Sequence, residues 1–154
     1  MTGGTVSEAA KVVRALRAAH LHDEGRQALL QLACERIRSW GPPYTSVYAY
    51  MLHGHELELE AHSGRDTEHT RIPVGKGVCG TAAREKQDQN VPDVSALGNY
   101  LACNAFTKSE LVVLIRRGDH MLGQIDIDSD VLGGFGEREY ADVKDVADAL
   151  AVLL

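Results

Sequence analysis

The sequence predicts an α+β domain with an antiparallel sheet, and three features carry that prediction. Two pairs of strand-like runs are each separated by a two-residue turn signal, at His53-Gly54 and at Gly118-Asp119. Helical patterns precede the first pair and follow the second, and a short Ala-rich helical segment lies between the pairs. The resulting order is helices, hairpin, small helix and loop, hairpin, helix. With 154 residues the chain fits one domain over 1–154, long enough to bury roughly 70% of the surface its unfolded form exposes. Within it, 1–22 reads as an N-terminal helical extension.

Each element follows from a local pattern. Residues 7–20 (SEAAKVVRALRAAH) repeat apolar side chains near helical spacing behind Ser7, a good N-cap. Residues 23–40 form a second helical pattern with Leu29, Leu30, Ala33, Ile37 and Trp40 on one side. Cys34 belongs next to that face, and Gly41, Pro42 and Pro43 end the run. Residues 44–52 (YTSVYAYML) are β-branched and aromatic, and 55–62 (HELELEAH) alternates polar residues with Leu57, Leu59 and Ala61. The glycine-punctuated stretch 72–86 turns at Gly75-Lys76-Gly77 and becomes helical from about Cys79. Residues 88–102 read as a short extended piece and then a loop. Residues 110–117 form an apolar strand whose hairpin partner is 120–130. The chain closes with 137–154, where Tyr140, Val143, Val146, Ala147, Leu150 and Leu154 recur at helical spacing and acidic residues fill the opening turns.

Composition excludes several function classes. The formal charge of −6 arises from acidic and basic residues interspersed along the chain, with no Lys/Arg stripe to follow a row of phosphates. Nucleic acid is therefore not an expected partner. No apolar stretch approaches the roughly 20 residues of a membrane span, and the N-terminus has no basic start followed by an apolar core. A cytoplasmic protein without a membrane partner is the expectation. Three cysteines at wide spacing, Cys34, Cys79 and Cys103, suit neither a disulfide framework nor a zinc motif. The seven histidines are scattered and no ligand spacing stands out, so no metal or bound cofactor is expected.

Chemistry concentrates in two places. On the strand 121–128, Asp126 and Asp128 point to one face while Ile125 and Ile127 point to the other. Glu110 opens the strand that pairs with it, so three carboxylates converge on one side of the hairpin. Like charges this close leave one carboxyl protonated or paired with a cation, able to bind an ammonium group or to donate a proton. The bland alternative is that the aspartates cap a strand end and face water. Cys103 stands in a loop between small neighbours, and Cys79 follows Gly77-Val78 at a helix start, where the helix dipole favours a thiolate. Two accessible cysteines of this kind can act as attacking and resolving thiols; equally, both can be small buried fillers.

The segments IPVGKGVCGTAA, VPDV, YLACNAFTKSELVV and GQIDIDSD, taken together, resemble the GAF domain, and within it the stand-alone free methionine-(R)-sulfoxide reductases. The resemblance covers roughly residues 25–154. It implies a central antiparallel sheet of about six strands, N- and C-terminal helices on one face and a ligand pocket on the other. By position, Cys103 matches the catalytic cysteine and Glu110 the carboxylate seven residues beyond it. Asp126 and Asp128 match the two pocket aspartates, Cys79 a second cysteine, and Tyr50 a residue of the aromatic substrate wall. At two places the sequence departs from the pattern: His69 stands where the usual resolving cysteine lies, and Ser46 where a tryptophan is expected. Asn104 also replaces a commoner aspartate. The resemblance implies reduction of free methionine sulfoxide with thioredoxin or another thiol as electron donor, and the apolar terminal helices suit a homodimer. The alternative is a non-catalytic GAF sensor of a small polar metabolite.

Overall fold

The computed structural model describes residues 5–98 and 105–154. Among them are four α-helices: α1 (Glu8–Leu21), α2 (Arg26–Arg38), α3 (Gly77–Glu85) and α4 (Glu137–Leu153). They accompany a six-stranded antiparallel sheet in the order β3-β2-β1-β6-β5-β4. Its strands are β1 (Ser46–His53), β2 (Glu56–Ser63), β3 (Arg71–Pro73), β4 (Gln89–Val91), β5 (Ser109–Arg117) and β6 (His120–Ser129). Helices α1, α2 and α4 cover one face, while α3 packs on the other. This is the α+β architecture expected from the sequence.

Alternation along the strands divides the interior into two layers. Val47, Ala49, Met51, Leu111, Val113, Ile115, Ile125 and Ile127 face the helices, where they meet Leu16, Leu30, Ile37, Val143, Val146 and Leu150. Tyr48, Tyr50, Val112 and Leu114 face α3 and meet Val78, Cys79 and Ala82. Ala9, Val12 and Leu16 of α1 are all buried, so part of 1–22 belongs to the main core. The Ser7 side chain accepts a hydrogen bond from the Ala10 N–H at 3.0 Å, the expected N-cap.

Local boundaries shift in places. The second helix starts at Arg26 rather than 23, because Asp23 adopts φ +61° and closes a turn first. Trp40 lies past its end and stacks edge-on against Tyr44 at 5.1 Å. The first hairpin turns on Gly54-His55, since His53 pairs with Glu56. Helix α3 begins at Gly77, two residues before the predicted start.

A larger difference concerns β2. Ala49 pairs with Ala61 but Tyr50 pairs with Leu59, which leaves Glu60 as the extra residue of a β-bulge. The bulge reverses the alternation. Leu57 and Leu59 face the α3 side while Ala61 faces the helices, although all three occupy alternate positions in sequence. The Glu60 carboxylate turns to α2 and takes Arg26 Nε at 2.9 Å and Nη2 at 2.5 Å.

Candidate active site

The second hairpin places three carboxylates on the α3 side of the sheet. Glu110 of β5 pairs directly with Asp128 of β6, and Asp126 is opposite Val112 on the same face. The two-residue period puts Asp126 and Asp128 on one face. Glu110 joins them only because Leu122 is left out of the ladder as a β-bulge between Arg116–Met121 and Ile115–Gly123; unbroken pairing from Arg117–His120 would set Glu110 opposite Ile127. On the other flank β1 sets Ser46 beside Asp128 and Tyr48 beside Asp126. The carboxylates do not cap a strand end in water: Glu110, Asp126 and Asp128 are 5%, 2% and 1% exposed.

Helix α3 brings the thiol of Cys79 to this cluster. Gly75 (φ +98°) and Gly77 (φ +68°) make the turn that starts the helix, in a backbone region open to glycine and strained for other residues. Gly80 lets the helix approach that turn: a Cβ there would lie 2.6 Å from the Pro73 carbonyl oxygen. The Cys79 Sγ donates to Glu110 Oε2 at 3.9 Å. One donor atom each from Cys79, Glu110 and Asp126 lie within 4.8 Å of one another, so these residues could also hold a metal ion.

Burial dominates the electrostatics. It raises the Cys79 thiol well above its ordinary pKa, and the negative charges of Asp126 and Glu110 add to the effect. Cys79 is therefore held as a neutral thiol, contrary to the expectation that the helix N-terminus makes it a thiolate. A helix dipole contributes a partial charge, whereas here a buried thiol faces whole carboxylates. Burial also raises the Asp126 carboxyl, against the opposing pull of hydrogen bonds with Glu110 and Cys79. Its Oδ1 is buried without a hydrogen-bond partner among the described residues. A carboxyl in these surroundings tends to keep its proton, as an acid must.

These groups line a small cavity of about 10 Å³ together with Tyr50, His69, Ile72, Lys76, Gly77 and Val78. Tyr50 is buried and its hydroxyl donates to the His69 carbonyl at 2.7 Å, tying β1 to the loop before β3. His69 thus reaches the cavity at the position where a cysteine was expected. Ser46 is also buried, and its Oγ accepts the Arg65 N–H at 3.0 Å. The Arg65 guanidinium in turn pairs with both oxygens of Asp130 at 2.7 and 2.6 Å and lies 5.2 Å from the Phe106 ring centroid. Cys103 and Asn104 lie outside the described residues. Cys34, by contrast, is buried in the helix-side core, where burial raises its pKa to about 12.

Sequence reasoning overlooked Gln124, Lys76 and Arg65. Gln124 is fully buried, donates from Nε2 to the Cys79 carbonyl at 3.3 Å, and leaves Oε1 unpartnered among the described residues. It precedes Asp126 by two residues, so the alternation that revealed the aspartates could have revealed it. Lys76 adjoins the recognised glycines, but nothing local says that it borders a cavity. Arg65 meets Asp130 from across the sheet, and no short-range pattern encodes that contact.

Fold and site together define an α+β domain with a buried carboxylate cluster on one face of its sheet. The family model of the GAF domain matches residues 12–154, and the chain belongs to that family. Within it, the sequence is 38% identical over 90 residues to the free methionine-R-sulfoxide reductase of Escherichia coli, a match covering 58% of this chain and 54% of that protein. The chain spans about half the length, or less, of the curated relatives it matches. Among solved structures, the type II free methionine-R-sulfoxide reductase from Thermoplasma acidophilum superposes with a TM-score of 0.80 at 36% identity, covering 83% of this chain and 91% of that one. The Neisseria meningitidis free methionine-R-sulfoxide reductase, solved in complex with its substrate, superposes at 0.83 and 26% identity over 99% and 93% of the two chains. Among the described residues, no helix is long and apolar enough to cross a membrane.

Proposed function

We propose that this chain is a thiol-dependent reductase of free methionine-(R)-sulfoxide. The observation that carries the reading is the closed cluster of Cys79, Glu110, Asp126 and Asp128, in a fold shared with reductases of that name. In this reading the Cys103 thiolate attacks the sulfoxide sulfur while an acid among Glu110, Asp126 and Asp128 protonates the departing oxygen. The raised pKa of Asp126 favours it as that acid. Methionine leaves and the oxygen remains on Cys103 as a sulfenic acid. A second thiol condenses with it, forming a disulfide and releasing water. Cys79 is the internal candidate, and its neutral thiol must lose a proton to attack, for which the Glu110 carboxylate at 3.9 Å is placed. Two electrons and two protons from thioredoxin or from glutathione then restore the thiols.

Substrate selection follows from charge. Carboxylates not used as acid hold the substrate ammonium, which a peptide-bound residue lacks. The 10 Å³ cavity has room for about one water, so the walls must part to admit an amino acid.

The test is NADPH oxidation coupled through thioredoxin reductase and thioredoxin, with free methionine-R-sulfoxide as substrate. Turnover is expected with thioredoxin or with glutathione, and its absence with both sinks the reading. Cys103→Ser should abolish turnover; surviving activity refutes Cys103 as nucleophile. Cys79→Ala separately tests the resolver, since unchanged thioredoxin-dependent turnover removes Cys79 from the mechanism. His69 and Ser46 favour a second reading, a sensor that binds a small polar metabolite. Stabilisation against heat by a metabolite, without turnover, selects it.

A further inference from the structure

We propose that Cys79, Glu110 and Asp126 form a binding site for a thiophilic divalent cation of the zinc class, held by one sulfur and two carboxylate oxygens. The three donors come from α3, β5 and β6, so no ligand spacing appears in the sequence, and the fold alone assembles them. A four-coordinate ion with sulfur at about 2.3 Å and oxygen near 2.1 Å spaces such donors roughly 3.5 Å apart. The Cys79 Sγ already lies 3.9 Å from Glu110 Oε2, and the three donor atoms are all within 4.8 Å of one another. A small closing movement therefore completes the set.

Two further observations point to a ligand. Asp126 is 2% exposed and borders the cavity, and its Oδ1 has no hydrogen-bond partner among the described residues. The cavity itself, about 10 Å³, has room for an ion or about one water without any movement of its walls. Sulfur selects against calcium and magnesium, which take all-oxygen sets, and three protein ligands leave a fourth position open. Binding releases the Cys79 proton and the proton held by the Asp126 carboxyl to solvent and forms metal–sulfur and metal–oxygen bonds, with no change of oxidation state. If the reductase reading holds, an ion here withdraws Cys79 and both acids from the reaction, so occupancy and turnover exclude one another.

Cobalt(II) is the probe, added to the reduced full-length chain without substrate. The expected result is one tightly bound ion with the visible bands of four-coordinate cobalt and a near-ultraviolet sulfur-to-cobalt band, all displaced by zinc. Cys79→Ser should erase the sulfur band, Asp126→Asn and Glu110→Gln should each weaken binding about tenfold or more, and Cys34→Ser should change neither. No bound cobalt, or a sulfur band that survives in Cys79→Ser, overturns the proposal. If Cys79→Ser does not fold, undiminished affinity in both carboxylate variants overturns it instead. The readout is separate from catalysis: a chain that binds cobalt through Cys79 but reduces no sulfoxide sinks only the reductase reading, and an active chain that binds none sinks only the metal site.

Discussion

The two faces of the sheet are built by the same strands and do opposite things. Along β6, Ile125 and Ile127 enter the helix-side core while Gln124, Asp126 and Asp128 enter the α3 side. Both sets are almost completely buried. The helix side gains from burial, because apolar area leaves water. The α3 side loses, because carboxyl groups are taken from water into close mutual contact. One face therefore supplies stability and the other spends it on a preorganised cluster, a division commonly found at functional sites.

Breaking the costly face should have the largest effect. Asp126→Asn is expected to lower kcat/KM by about 10²–10⁴-fold, the range for loss of a positioned acid. The same change should raise the unfolding midpoint. Asp126 holds its proton more tightly folded than unfolded, so its contribution falls as pH rises above the ordinary aspartate range and flattens beyond its raised value. Denaturation followed over that pH range should show the loss in the wild type and a shallower slope in the variant. Equal slopes would place the cost elsewhere.

Breaking the other face should do the reverse. Ile127→Ala empties part of the helix-side core, where Ile127 is fully buried, and should cost about 2–5 kcal/mol in urea denaturation. Turnover per folded molecule should stay near wild type at permissive temperature. A large loss of turnover would show that the two layers are coupled through the sheet.

The smallest effect belongs to the rim. Asp130→Asn breaks the paired contact with Arg65, but both side chains are more than a third exposed, so about 0.5 kcal/mol or less is expected. Arg65 holds the Asp130 carboxyl below its usual pKa. That contribution is present above about pH 4 and fades as pH falls, so wild type and variant should converge in acid. Divergence at low pH would contradict the assignment.

What was legible in the sequence was whatever depends on counting by two or by 3.6 across short turns. The β5–β6 hairpin and the shared face of Asp126 and Asp128 are such cases, whereas the meeting of these aspartates with Glu110 also needs the bulge at Leu122, which counting by two misses. The helices, and the burial of Cys34, are others. Contacts between distant segments were not legible. Tyr50 reaching His69, Arg65 reaching Asp130 and Cys79 reaching Glu110 each depend on how loops return to the sheet. The protonation of Cys79 was misjudged for the same reason, since its helix start is visible in sequence and its carboxylate neighbours are not. The expectation of no metal rested on ligand spacing, and spacing is silent about donors that come from three separate elements.

The bulge at Glu60 has a consequence for chain length. Glu60 occupies a place in the sequence but none in the ladder, because Leu59 and Ala61 pair with the consecutive residues Tyr50 and Ala49. A chain lacking that one residue would run through β2 as a regular strand. Leu57 and Leu59 would still lie over the cavity layer and Ala61 under the helices. Deleting Glu58 instead would bring Glu60 to the cavity side. A one-residue gap is therefore tolerable at this point of the strand and disruptive just before it, and what a gapped relative gives up is the carboxylate that clamps Arg26.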